Sequence, residues 1–146
     1  MTYEYSYSAF QPPLMFARAA GGHTARMQVF LVEDSVLVRD RLARLLTQVP
    51  GTTIVGHASG AAAAIQEILA TRPDLVVLDV QLAEGSGFDV LRALHARAPE
   101  LEVVMLSNFS ADPYRQIAER FGARALFDKA REFERVRDLV AKRAAH

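Results

Sequence analysis

The sequence predicts an α/β protein: one doubly wound, five-stranded parallel sheet with helices on both faces. Three observations predict it. From Met27 onward, five short apolar runs alternate with five segments of helical period, the pattern of repeated β-α units. The apolar runs are mostly continuous rather than alternating, so the strands are covered on both faces. The series occupies roughly 120 residues, the size of one core, and leaves no room for a second domain.

The first run, "MQVFLVE" (27–33), is a buried strand. "SVLVRDRLARLLTQV" (35–49) follows as a helix, with Val38, Leu42, Leu45, Leu46 and Val49 on one face and Arg39, Asp40, Arg41 and Arg44 mostly off it. Pro50-Gly51 ends that helix. "TTIVGHA" (52–58) is the second strand, and the Ala-rich "GAAAAIQEILATR" (60–72) is the second helix, stopped by Pro73. "DLVVLD" (74–79) is the third strand. A polar, Gly-containing loop leads to "GFDVLRALHARA" (87–98), a helix with Phe88, Leu91 and Leu94 inward and Pro99 behind it.

"LEVVMLS" (101–107) is the fourth strand. Asp112-Pro113 supplies a cap and a first-position proline for a helix over 113–121. "ARALFD" (123–128) is the fifth strand, and "EFERVRDLVAKRAA" (132–145) is the last helix, with Phe133, Val136, Leu139 and Val140 inward. Its Arg and Lys residues interleave with Glu132, Glu134 and Asp138, the pattern of a solvated face or of a docking surface.

Residues 1–26 stand apart from residues 27–146. They carry three of the four tyrosines, a Pro-Pro and a Gly-Gly. Tyr3, Tyr5 and Tyr7 alternate with polar residues, which suits one face of an edge strand or a partner contact. The plainer and favoured reading is a mobile tail, or a chain effectively beginning at Met27.

Lys plus Arg and Asp plus Glu number 17 each, so the whole-chain field offers no basic footprint for nucleic acid or anionic lipid. No cysteine is present, which removes disulfides, thiolate metal sites and cysteine nucleophiles. No apolar window reaches the length that spans a bilayer, and the start lacks a basic segment followed by an apolar core. The expected setting is cytoplasmic, without membrane insertion. His23, His57, His95 and His146 show no metal-ligand spacing and receive no chemistry.

In an open parallel sheet, ligands bind at the carboxyl ends of the strands. Here the first strand delivers Glu33 and Asp34, the third Asp79, the fourth Ser107 and the fifth Lys129. Each has a plainer reading alone: Asp34 or Ser35 as a helix cap, Asp79 as a strand end meeting solvent, Ser107 as a turn residue, Lys129 as a solvated cation. Together they gather three carboxylates, and two unit charges about 4 Å apart repel by about 4 kcal/mol at an effective dielectric near 20. A cation is implied. Lys129 supplies one charge, and a hard divalent ion that takes carboxylate and water oxygens suits the site better, Mg²⁺ above all.

The stretches "LVEDSVLVRDRL", "PDLVVLDVQLAEGSGFDVLRAL", "VVMLSNFS" and "GARALFDKA" resemble the receiver domain of two-component response regulators over residues 27–145. The resemblance implies a flavodoxin-like sheet of order 2-1-3-4-5. It implies Asp79 as phosphoacceptor, Mg²⁺ held by Glu33, Asp34, Asp79 and the main-chain carbonyl of Gln81, and Ser107 and Lys129 on the phosphoryl oxygens. It further implies a histidine kinase or histidine phosphotransfer protein as donor, a downstream effector protein as target, and no direct contact with nucleic acid. The expected function is a stand-alone, phosphorylation-controlled switch rather than an enzyme acting on an external substrate. A receiver-fold interaction module that is not phosphorylated is the alternative.

Several positions depart from the family pattern. Ala83 and Ala130 stand where prolines are usual, so the bond after Lys129 is expected to be trans or its loop altered, since a non-proline cis bond costs about 2.5–4 kcal/mol. Leu126 takes the place of a switching aromatic, with Phe127 beside it. Asn108 stands where a small residue is common, and Gln81 and Phe109 sit where members tune phosphoryl lifetime. An aspartyl phosphatase would want a second acid at 81, and a nucleotide site would want glycines after the first strand; neither is present.

Overall fold

The computed structural model describes residues 26–108 and 112–144. Residues 1–25 and Phe109, on which two of the expectations above rest, lie outside the described residues. Five parallel strands form one sheet of order β2-β1-β3-β4-β5: β1 (Met27–Val32), β2 (Thr52–Ala58), β3 (Leu75–Asp79), β4 (Glu102–Ser107) and β5 (Ala125–Asp128). Five helices follow them in turn: α1 (Val36–Leu46), α2 (Ala61–Thr71), α3 (Gly87–Arg97), α4 (Asp112–Arg120) and α5 (Phe133–Ala144). This is the expected flavodoxin-like, doubly wound topology.

Period-two side-chain alternation divides the central strands between two cores. Phe30 and Val32 of β1 face Ala64 and Ile68 of α2, Leu91 and Leu94 of α3, and Ala118 of α4. Val29 and Leu31 face Leu42 and Leu46 of α1 with Val136 and Val140 of α5. All five residues of β3 are buried, as a strand sandwiched between helix layers must be. On the β1–β2 ladder the register shifts between Val29 and Phe30, so that Phe30 pairs with Gly56. A Cβ on Gly56 would stand 2.6 Å from the Phe30 ring, so the glycine lets that ring lie against β2.

Element ends differ from expectation by one or two residues, as at α4, which already includes the expected cap Asp112, and two differences bear on packing. Helix α1 ends at Leu46 rather than Val49, because Thr47 closes it: its amide and its Oγ1 both bond to the Ala43 carbonyl, at 3.0 and 2.7 Å. Arg39, expected mostly off the buried face, is buried at 9% exposure, with Nη1 3.0 Å from Nδ1 of His57 on β2. A guanidinium only donates, so that ring nitrogen is the acceptor and the imidazole is a neutral packing partner. No helix of the described residues is long and apolar enough to cross a membrane.

Candidate functional site

Backbone hydrogen bonds just beyond the strand ends fix each residue of the candidate site. The Glu33 amide donates to the Ala58 carbonyl at 3.0 Å, the Val80 amide to Leu106 at 2.9 Å, and the Lys129 amide to Ser107 at 2.8 Å. The strands thus hand their ordered geometry to the loops that follow.

Glu33, Asp34 and Asp79 each place a carboxylate oxygen within 4.8 Å of the others. Glu33 and Asp79 are buried, at 1% and 3% exposure, while Asp34 is exposed. Lys129 reaches into the cluster: Nζ donates to Asp79 Oδ2 at 2.9 Å and to Glu33 Oε2 at 3.3 Å. Nζ also lies 3.0 Å from Glu33 Oε1, but without hydrogen-bond alignment, so this buried oxygen has no donor. The Ser35 amide holds Glu33 Oε2 at 3.1 Å, and the Gln81 amide lies 3.4 Å from Asp79 Oδ1. Ser107 is buried at the end of β4 and pairs across the ladder with Asp128.

Burial dominates the electrostatics. It pushes the Glu33 carboxyl from 4.5 up to about 7, helped by the neighbouring Asp79 charge, and Lys129 offsets only part of this. Burial likewise lifts the Asp79 carboxyl above its ordinary value, against the hydrogen bond and charge of Lys129. Lys129 itself would be lowered by burial, but Asp79 and Glu33 together outweigh that and raise it.

One ammonium stands against three carboxylates, one of which keeps a buried oxygen without a donor. That surplus of hard, negative oxygen donors fits a divalent ion of the Mg²⁺ type.

Glycine 87 sets the approach of α3 to this cluster. A Cβ there would lie 2.1 Å from the Asp79 carbonyl oxygen, and the Gly87 amide donates to the Val80 carbonyl at 2.8 Å. Ser86 caps the helix by accepting from the Phe88 amide at 3.0 Å.

The lysine loop takes its shape from residues that sequence reasoning missed. Asp128 Oδ1 accepts from the amides of Ala130 at 2.7 Å and Arg131 at 3.1 Å. Glu132 Oε1 accepts in return from the Asp128 amide at 2.9 Å, and this bond, first among its contacts, draws the Glu132 carboxyl below its ordinary value. The signal was legible as an acid just ahead of a helix with a glutamate a turn later, a reciprocal cap. No cis peptide bond occurs among the described residues, so Lys129–Ala130 is trans.

Both alanines that replace usual prolines use the amide hydrogen a proline would lack. Ala130 donates to Asp128, and Ala83 donates to the Ser59 carbonyl at 3.1 Å. With the bond from the Ala61 amide to the Glu84 carbonyl at 2.8 Å, the second contact ties the loop after β3 to the loop after β2.

Comparison with known proteins follows the same lines. The family model of the response regulator receiver domain matches residues 29–141. The DNA-binding transcriptional activator DevR/DosR of Mycobacterium tuberculosis is 40% identical over 86 residues, 59% of this chain and 40% of the relative. Protein-glutamate methylesterase/protein-glutamine glutaminase 2 of Cereibacter sphaeroides is 42% identical over 94 residues, 64% of this chain and 25% of the relative. The match therefore covers well under half of each relative's own length. A NarL signal receiver domain from Mycobacterium tuberculosis superposes with a TM-score of 0.75 at 24% identity, over 83% of this chain and 98% of that one. At that identity the likeness speaks for the fold.

Proposed function

The chain belongs to the response regulator receiver domain family, and we propose that it is a phosphorylation-controlled signalling switch whose phosphoacceptor is Asp79. The observation that carries this reading is the Asp79 carboxylate, buried beside Glu33 and Asp34, with Lys129 Nζ 2.9 Å from its Oδ2.

An Asp79 oxygen attacks the phosphorus of a phosphohistidine on a histidine kinase or phosphotransfer protein. The P–N bond breaks as the P–O bond forms, and the donor imidazole keeps the electron pair and takes up a proton. Phosphoryl transfer asks the protein mainly for alignment and for neutralisation of charge on the equatorial oxygens. Lys129 supplies one positive charge, and the Ser107 hydroxyl offers a hydrogen bond to a phosphoryl oxygen. Glu33, Asp34, Asp79 and the Gln81 carbonyl would hold Mg²⁺, which supplies the further positive charge that a transferring phosphoryl group requires.

A phosphoryl group draws Ser107 toward it and so pulls on the start of α4. Only Ala118 of α4 is fully buried, and Tyr114 and Ile117 are each 37% exposed, so this helix is lightly anchored and can shift at small cost. A downstream effector protein reads the displacement. A sequence without cysteine supports action in the cytoplasm.

Incubation with acetyl phosphate, followed by intact-mass measurement, tests the reading. Wild type should gain one phosphoryl group in Mg²⁺ and none in chelator, while Asp79→Asn gains none. No adduct on wild type in Mg²⁺ would favour an interaction module that is not phosphorylated.

A further inference from the structure

The first turns of α3 and α4 meet through two aromatic rings. Phe88, the second residue of α3, stacks on Tyr114, the third residue of α4, with centroids 6.2 Å apart and planes 12° from parallel. Near-parallel rings at this separation are offset, the arrangement their quadrupoles favour over full overlap. We propose that this stack is a latch that holds α4 in its unphosphorylated place, so that a phosphoryl group on Asp79 must part the two rings. The latch presupposes Asp79 as phosphoacceptor and governs how readily that residue is occupied.

Phe88 is tied to the phosphoacceptor. Gly87, one residue earlier, donates its amide to the Val80 carbonyl at 2.8 Å, and a Cβ on it would lie 2.1 Å from the Asp79 carbonyl oxygen. The Phe88 amide is held by Ser86 Oγ at 3.0 Å, and the Phe88 side chain packs against the core that contains Val90 and Leu91 of the same helix. With backbone and ring both held, Phe88 stays with Asp79 when α4 shifts.

Tyr114 is tied instead to the strand that ends in Ser107. Helix α4 begins five positions after Ser107, and Tyr114 stands in its first turn, where a pull from Ser107 arrives first. The helix is anchored farther along, by the buried Ala118. Leu126 of β5 shares the core with Ala118 at 2% exposure, so it has no room to swing, whereas Tyr114 lies half-buried at the surface. Drawing the first turn of α4 toward Asp79 while Phe88 stays in place slides one ring across the other and loses their contact. The stack therefore favours the resting position of α4, and by linkage the stack and a phosphoryl group at Asp79 each weaken the other.

Titrating the full chain with beryllofluoride in Mg²⁺, a stand-in for the phosphoryl group, tests the latch. Tyr114→Leu removes the ring and keeps an apolar side chain of good helix propensity. It should bind about three- to tenfold more tightly than wild type, the factor set by one aromatic pair. Phe88→Leu should gain the same factor, and the double variant no more than either, because the same contact is lost in all three. In the metal-free chain with labelled tyrosine, the Tyr114 ring signal, assigned by its absence from Tyr114→Leu, should differ between wild type and Phe88→Leu. Beryllofluoride with Mg²⁺ should carry the wild-type signal toward the position it has in Phe88→Leu. Equal or weaker binding by Tyr114→Leu, additive gains in the double variant, or a ring signal that beryllofluoride leaves unmoved would each overturn the latch while leaving Asp79 as phosphoacceptor. No binding by wild type would overturn both.

Discussion

Lys129 Nζ lies 2.9 Å from Asp79 Oδ2, a contact between residues 50 positions apart that links the ends of β5 and β3 across β4. The same ammonium serves Glu33, 96 positions away on the end of β1. Among the described residues, Lys129 is therefore the one positive charge that contacts this buried acidic pair.

Replacing Lys129 with methionine keeps most of its apolar stem and removes that charge. Breaking a buried ion pair leaves an uncompensated partner and costs up to about 3 kcal/mol, part of it relieved because without Lys129 the Glu33 and Asp79 carboxyls rise further and take up protons. Urea unfolding in chelator should show this loss, and Mg²⁺ should restore a larger share of stability to the variant than to wild type. Equal stability of the two chains in chelator would contradict the electrostatic account.

The pH dependence of the metal-free chain follows from burial of Glu33. A folded value of about 7 against 4.5 means that the folded state holds more protons than the unfolded state between those limits. Stability from this group is fully present below about pH 4.5 and is lost as pH rises through about 7, by roughly 3 kcal/mol in all. The raised Asp79 carboxyl acts in the same direction, whereas Lys129, raised in the alkaline range, leaves this window untouched. Thermal melts in chelator should therefore fall between pH 5 and 8. Mg²⁺ needs the ionised carboxylates, so its affinity should fall as pH is lowered through about 7.

Proline at 83 or 130 would bring the chain closer to its family and yet weaken it. Ala130→Pro deletes the amide that Asp128 accepts at 2.7 Å, and Ala83→Pro deletes the one that the Ser59 carbonyl accepts at 3.1 Å. Each should cost about 1–3 kcal/mol, the Ser59 carbonyl losing this donor and Asp128 Oδ1 keeping the longer bond from the Arg131 amide at 3.1 Å. Denaturant midpoints would measure both, and a stabilising effect of either proline would show that these amides do not hold the loops.

Gly87→Ala puts a methyl group where the Asp79 carbonyl oxygen is only 2.1 Å away. The start of α3 must retreat, with a cost of about 1–3 kcal/mol for overpacking. Because Asp79 sits on the far side of that contact, Mg²⁺ affinity should fall along with stability. Isothermal titration of the folded variant checks this, and unchanged affinity would mean that α3 yields without moving Asp79.

The fold was legible because Val and Leu runs in "FLV", "LVVL" and "VVML" can only be buried strands when helices of period 3.6 alternate with them. The acidic cluster was legible because Glu33, Asp34 and Asp79 end strands that must lie side by side. Arg39 was not, since a charged residue on a helix reads as exposed until His57 on the neighbouring strand is seen to accept from it. The lysine loop was not either: its amides bond to Asp128, whose carboxylate reads in sequence only as the last residue of a strand. Contacts that depend on which way a single side chain turns lie below the resolution of hydropathy patterns.

The most direct test of the central claim is the position of the acyl phosphate. After phosphorylation by acetyl phosphate in Mg²⁺, borohydride reduction converts a phosphorylated aspartate to homoserine, which tandem mass spectrometry of the digested chain locates. The account predicts homoserine at residue 79 and at no other acid. Homoserine at residue 34 or elsewhere, with Asp79 intact in a chain that carries the phosphoryl mass, would contradict it.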